Sequence, residues 1–406
     1  MMPIPPENIL AAATEHQAEL VDFTQQLVAT PSLPGQEQNI AQLIENRMNQ
    51  LDFDEIWRDE AGNLIGKIKG GSGPAVILNG HMDHVDPGPP EGWPYPPFSA
   101  QIADGQLWGR ASVDMKGAVA CMIYATSLLK ELGITPPGDI FMTVAVMEEV
   151  GGIGTQHLVN HLGAQAAICG EPSSNTLRRG HRGRVELQVD FAGRSAHASA
   201  PHLGTNPHYL AALFLSKLST IKLGQNDTLG RSSVVPTLYT TDQTSANVIP
   251  GQITLTLDWR NVASESPPEI ADKVTQLLNI CLAQIGTDYP SGAQVRIVSN
   301  QFTTYTGLKI ESPAIFPSFL LPEDHAFVQA THKALVNLLG RDDGVDIWRF
   351  ATDGGHLMAA GIPTVGFGPG DETLAHTNQE HISLAQMEEA VAAYAALALA
   401  LGQAAT

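Results

Sequence analysis

Ala75-Val76-Ile77-Leu78-Asn79-Gly80-His81-Met82-Asp83 decides how this chain folds. Its first four residues form an unbroken apolar run, the pattern of a short strand buried on both faces. The run stops at Asn79-Gly80, and a histidine and an aspartate follow two residues apart. A buried strand that ends in such side chains presents them at its carboxyl end, where open α/β sheets bind ligands.

Outward from this strand the pattern repeats. Apolar runs at 140–147, 166–169 and 364–367 read as further buried strands, and 115–132 and 155–162 read as helices. Residues 7–50 have helical periodicity, broken into two helices at Pro31, Pro34 and Gly35. Alternating buried strands and helices predict an α/β fold, a layered domain with a mostly parallel sheet. The middle of the chain differs. Val185, Leu187, Val189 and Phe191 alternate with Glu186, Gln188 and Asp190, and Ile253, Leu255 and Leu257 alternate with Thr254, Thr256 and Asp258. That period of two predicts an antiparallel sheet with one wet face, covered on the other by helices near 207–221 and 268–285. The expected organisation is a discontinuous catalytic domain, 1–178 and 303–406, interrupted by an inserted α+β domain, 179–302.

At 406 residues the chain can bury a large core without staples. Lys+Arg number 22 against 42 Asp+Glu, a formal charge of −20. This argues against nucleic-acid or anionic-membrane partners, which need clustered cations. Apolar residues at 43% and charged residues at 16% describe an ordinary globular chain. Cys121, Cys169 and Cys281 form no Cys-x-x-Cys and no disulfide framework, which suits a reducing compartment. The start, Met1-Met2-Pro3-Ile4-Pro5-Pro6-Glu7, has neither the basic region nor the apolar run of a signal peptide. The expected location is the cytoplasm. The apolar stretch 391–401 is too short to span a bilayer and reads as a terminal packing helix.

Five segments end in residues able to bind metal. They are His81-Met82-Asp83, Asp114 before a helix, Glu148-Glu149-Val150-Gly151-Gly152, Glu171 after Gly170, and His376 beyond Gly368-Pro369-Gly370. Two imidazoles and three carboxylates suit a pair of borderline divalent ions, zinc first, with cobalt or manganese next. One carboxylate can bridge, each ion then takes one His and one Glu, and positions stay open for water. Adjacent Glu148 and Glu149 fit one carboxylate held on metal and one free to move protons. Gly151-Gly152-Ile153-Gly154 follows two carboxylates and lacks the Lys of a phosphate loop, so it reads as turn glycines.

This order of residues resembles the co-catalytic zinc amidohydrolases and peptidases, the family of acetylornithine deacetylase, succinyl-diaminopimelate desuccinylase, aminoacylase and glutamate carboxypeptidase. Arg179-Gly180-His181-Arg182-Gly183-Arg184 and Gly366-Phe367-Gly368-Pro369-Gly370 look closest to a bacterial branch of deacylases. The resemblance implies that His81 and Glu171 hold one ion, that Glu149 and His376 hold the other, and that Asp114 bridges. It implies Glu148 as general base, Asp83 as the group that fixes the His81 tautomer, and a cis peptide after Asp114. Gly193-Arg194-Ser195-Ala196-His197 is similar to the family's lid motif, in which the His donates to the oxyanion. Arg182, Asn247 and Arg260 match groups that face the substrate. The implied function is cleavage of an amide bond in a small carboxylate-bearing substrate, first an N-acyl amino acid, by a homodimer built through the inserted lid and dimerisation domain. A dipeptidase or carboxypeptidase is the alternative, and a metal-binding scaffold without turnover the next.

Overall fold

The computed structural model describes residues 5–159, 161–286, 289–290 and 292–405. Met1–Ile4, the start of the stretch read for a leader, lies outside them. The chain divides into two compact units. One runs up to His181 and adds Gln301–Ile310 and everything from Phe319 onward; the other is Arg182–Asn300 with Glu311–Ser318. The second unit is thus entered twice.

The first unit is built on a nine-stranded sheet. Across it run Glu55–Arg58, Leu64–Ile68, Ile140–Ala145, Val76–His81, Ala166–Cys169, Thr364–Gly366, Leu177–His181 and Phe319–Leu320, with Val345–Trp348 also paired to Leu177–His181. The central four are mutually parallel, Val76–His81 lying between Ile140–Ala145 and Ala166–Cys169, and Thr364–Gly366 beside the latter. Antiparallel pairs confine themselves to the flanks. Both faces are covered, as the apolar runs require. Val76, Leu78 and Ile168 pack in the core built with Gly117–Glu131 and Leu384–Ala404, whereas Ile77 and Ala167 pack with Leu357 and Ile362 on the other side.

The terminal packing helix is longer than the apolar stretch that predicts it. The stretch 391–401 is part of Leu384–Ala404, 21 residues with the length and apolar character of a membrane span. It lies against the helices Gly117–Glu131 and Ala326–Leu339, and Tyr394 at its centre is fully buried. The Tyr394 hydroxyl donates to the Phe367 carbonyl at 2.8 Å. Its apolar character therefore serves the core. The approach to Asp114 differs from that of the strand-end ligands. Gln106–Trp108 pairs in a separate three-stranded sheet with Gln101–Ala103 and His381–Ser383. Asp114 is reached through an irregular turn, Ser112–Lys116, and not from the end of a strand of the large sheet.

In the second unit the alternating strands are Arg184–Ala192 and Gln252–Arg260, paired antiparallel. Val185, Leu187, Val189 and Phe191 are buried against Leu210, Phe214, Ile270 and Val274 of the helices Pro207–Lys217 and Pro267–Ile285. Ser266 opens the longer helix with a reciprocal capping box to Glu269. The strand Ser233–Thr241 pairs on one side only and leaves Val235 53%, Leu238 62% and Tyr239 43% exposed.

Candidate metal centre

Because the four central strands are parallel, their carboxyl ends meet. His81 closes one strand, Glu148 and Glu149 follow Ala145 by a short turn, and Glu171 follows Cys169 by two residues. Asp114 and His376 arrive from loops. His81 Nε2 lies 3.0 Å from Asp114 Oδ1 and 3.7 Å from Glu171 Oε1. His376 Nε2 lies 3.1 Å from Asp114 Oδ2 and 3.0 Å from Glu149 Oε2. Asp114 therefore faces one imidazole with each oxygen. His81, Asp114 and Glu149 offer ligand atoms all within 4.8 Å of one another, and so do His81, Glu148 and Glu171.

The donor set fits a pair of cations. His81 Nδ1 sits 3.1 Å from the Asp83 carbonyl, which can only accept, so Nδ1 carries a proton and Nε2, facing Asp114 and Glu171, is the nitrogen that would meet an ion. Glu171 Oε2 is buried with no hydrogen-bond partner. Five carboxylates, Asp83, Asp114, Glu148, Glu149 and Glu171, surround two imidazoles. Such a buried excess of negative charge calls for cations. Burial, then the charges of Asp353, Glu171 and Glu149, push Glu148 well above the usual carboxylate range. Burial and Asp114 do the same to Glu171. At Asp114 burial is outweighed by hydrogen bonds from His376 and His81, which hold the carboxyl low. Hydrogen bonds to Asp114 and Glu149 push His376 up to about 10.

Four successive amides of the loop that carries the paired glutamates are held by buried side chains. Val146 N–H donates to Asn63 Oδ1 at 3.0 Å and Met147 N–H to Glu37 Oε1 at 3.2 Å. Glu148 and Glu149 N–H donate to the two oxygens of Asp83, at 3.0 and 3.1 Å. Asn63, Glu37 and Asp83 are fully buried. Met147 has φ 55° and His376 φ 62°, left-handed conformations that cost energy outside glycine and gather at functional sites. The Asp114–Met115 peptide is cis.

The Asp83 carboxylate, 3.4 Å from His81 Nδ1, thus also seats both glutamates. Sequence reasoning missed Glu37, Asp353 and Glu380. Asp353 is buried beside Asn79 and Thr155, with its carboxyl raised by burial to about 6. Nothing in the spacing of these three distinguishes them from surface acids.

His197, Arg182, Asn247 and Arg260 belong to the second unit. His197 Nδ1 accepts the N–H of Ser199 at 3.1 Å, which leaves the ring proton on Nε2. Ala198 N–H donates to the Asn247 carbonyl at 2.8 Å, so these two loops are neighbours. Arg182 donates to the Arg231 carbonyl at 3.1 Å. Arg260 is engaged by Asp258 at 2.6 Å, and Asp258 also takes Arg184.

Comparison with known proteins agrees over nearly the whole chain. Residues 77–400 match the model of Peptidase family M20/M25/M40. The Escherichia coli (strain K12) protein YgeY, itself uncharacterized, is 30% identical over 403 residues, 98% of each chain. Succinyl-diaminopimelate desuccinylase of Pseudoalteromonas atlantica is 26% identical, over 93% of this chain and 97% of that one. The fold is shared with Bacillus subtilis YXEP, described as a dinuclear metal binding peptidase from the M20 family, with a TM-score of 0.71, 18% identity and coverage of 96% and 99%. The chain belongs to Peptidase family M20/M25/M40 and is a metal-dependent hydrolase of amide bonds.

Proposed function

We propose that the protein is a deacylase that hydrolyses N-acyl amino acids. The observation that carries the reading is the pair Glu148–Glu149, both seated on Asp83, with Glu149 turned to His376 and Glu148 beside His81 and Glu171. His81, Glu171 and Asp114 would hold one ion, and His376, Glu149 and Asp114 the other, with zinc first and cobalt or manganese next. When bound, the ions polarise the scissile carbonyl and make water a better nucleophile at neutral pH. Glu148 takes the proton of the attacking water on a carboxylate oxygen and delivers it to the leaving nitrogen. Its raised proton affinity suits a group that must both take and give. A panel of N-acetyl, N-succinyl and dipeptide substrates, run with zinc, cobalt and manganese, tests the assignment. Turnover of dipeptides alone would make the protein a peptidase, and turnover of none would sink the enzyme reading.

Carboxylate recognition is assigned to Arg182, with Asn247 and Arg260 as further polar contacts to the substrate. Arg182→Ala is expected to raise KM for carboxylate substrates by at least about tenfold, the scale of one charge-assisted hydrogen bond, and to leave neutral amide analogues nearly unchanged. Equal losses for both would make Arg182 structural.

We assign the second unit to the lid and to a homodimer, and His197 to the partner's oxyanion. The exposed edge strand Ser233–Thr241 supports a dimer, since an unpaired edge bearing Val235 and Leu238 is a pairing surface. The Nε2 proton of His197 supports the donor role. His197→Ala and Glu148→Ala subunits are each inactive alone. Random exchange makes about half the dimers mixed, each with one intact site of two, so activity should return to about a quarter of wild type. No recovery after exchange confirmed with tagged subunits would place His197 in cis or in a structural role.

A further inference from the structure

A buried ion pair outside the ligand set ties together the two loops that bring Asp114 and His376. Glu380 is fully buried, and its Oε1 accepts the N–H of Val113 at 3.1 Å and of Asp114 at 3.2 Å. Its Oε2 accepts from Arg110 Nη1. The other terminal nitrogen of Arg110 donates to the His376 carbonyl at 3.4 Å. The guanidinium lies 5.0 Å over the Trp93 ring, and that loop is tied back where Asn378 Nδ2 donates to the Gly92 carbonyl at 2.7 Å. The ring of contacts therefore joins the loop of Asp114 to the loop of His376. Among the described residues, no hydrogen bond of Arg110 or Glu380 reaches His81, Asp83 or Glu171, which are fixed by the strand ends and by one another.

The two halves of the centre are thus built unequally. His81 is held within the sheet and is almost fully buried. His376 sits on a loop with its side chain 50% exposed, in a left-handed conformation, and its carbonyl is held by Arg110. A residue so placed depends on its tether for direction.

We propose that the Arg110–Glu380 pair positions the Asp114 and His376 loops and so sets how tightly the His376–Glu149 ion is held, reaching the His81–Glu171 ion only through the shared Asp114. This rests on the two-ion reading above. Loss of an outer hydrogen-bond partner typically lowers metal affinity by about 10–100-fold. The prediction is that such a loss falls mainly on one ion.

The test uses the full-length protein loaded with zinc and titrated with a chelator, with ions per chain counted by elemental analysis. Wild type should hold two. Glu380→Gln should release one ion at about 10–100-fold lower chelator, while the other, reached only through Asp114, shifts by a smaller factor. In a His376→Ala background, Glu380→Gln should shift the remaining ion by no more than that smaller factor. Arg110→Lys, which keeps the charge but cannot reach both Glu380 and the His376 carbonyl, should loosen the same ion most. It decides the matter if Glu380→Gln does not fold. Equal loosening of both ions, wild-type retention of both, or a shift of about 10–100-fold in the His376→Ala background would overturn the proposal. A wild type that holds fewer than two ions would overturn the two-ion reading beneath it.

Discussion

Glu148→Gln is expected to keep its fold and its metal while turnover falls by at least about 10²–10⁴, the usual scale for loss of a general base. The side chain keeps its shape, and the backbone N–H still donates to Asp83. What disappears is the ability to take a proton from water. Turnover and elemental analysis on one preparation check it. The competing outcome has a concrete basis, because Glu148 stands within ligand distance of His81 and Glu171. An emptied site in the variant would make Glu148 a metal ligand.

Metal removal should abolish activity, and a divalent ion should restore it. Binding to the native state stabilises by mass action, about 2.7 kcal/mol per site at a hundredfold excess over Kd. The melting temperature should therefore fall on chelation and recover on reloading. A third readout is the proton count. Without metal, His376 is held protonated at pH 7, since Asp114 and Glu149 push it up to about 10, and Glu148 and Glu171 are pushed well up by burial. Ligands must shed protons to bind, so adding metal in weak buffer near pH 7 should acidify the solution. Full activity in a metal-free preparation would refute the mechanism.

The strands of the large sheet were legible because burial on both faces leaves an unbroken apolar run, which Val76-Ile77-Leu78 and Ala166-Ala167-Ile168-Cys169 display. The second unit was legible for the opposite reason, as one wet face writes a period of two into Arg184–Ala192. Its return at Glu311–Ser318 was not, since Ile315–Phe316 is a two-residue strand with no room for a period. The candidate ligands stood out because each follows a strand or precedes a helix. The carboxylates that hold backbone were invisible. Glu37 is 110 residues from the amide it binds, and Glu380 is 266 from Asp114, so only the folded chain joins them.

The run of held amides from Val146 to Glu149 has a calorimetric consequence. Fixing one residue's backbone costs about 1–2 kcal/mol in conformational entropy, and here that ordering is completed when the chain folds around Asn63, Glu37 and Asp83. Ion uptake then finds this segment already ordered. Its heat should reflect proton release and desolvation of the carboxylates, with little entropic penalty from the loop itself.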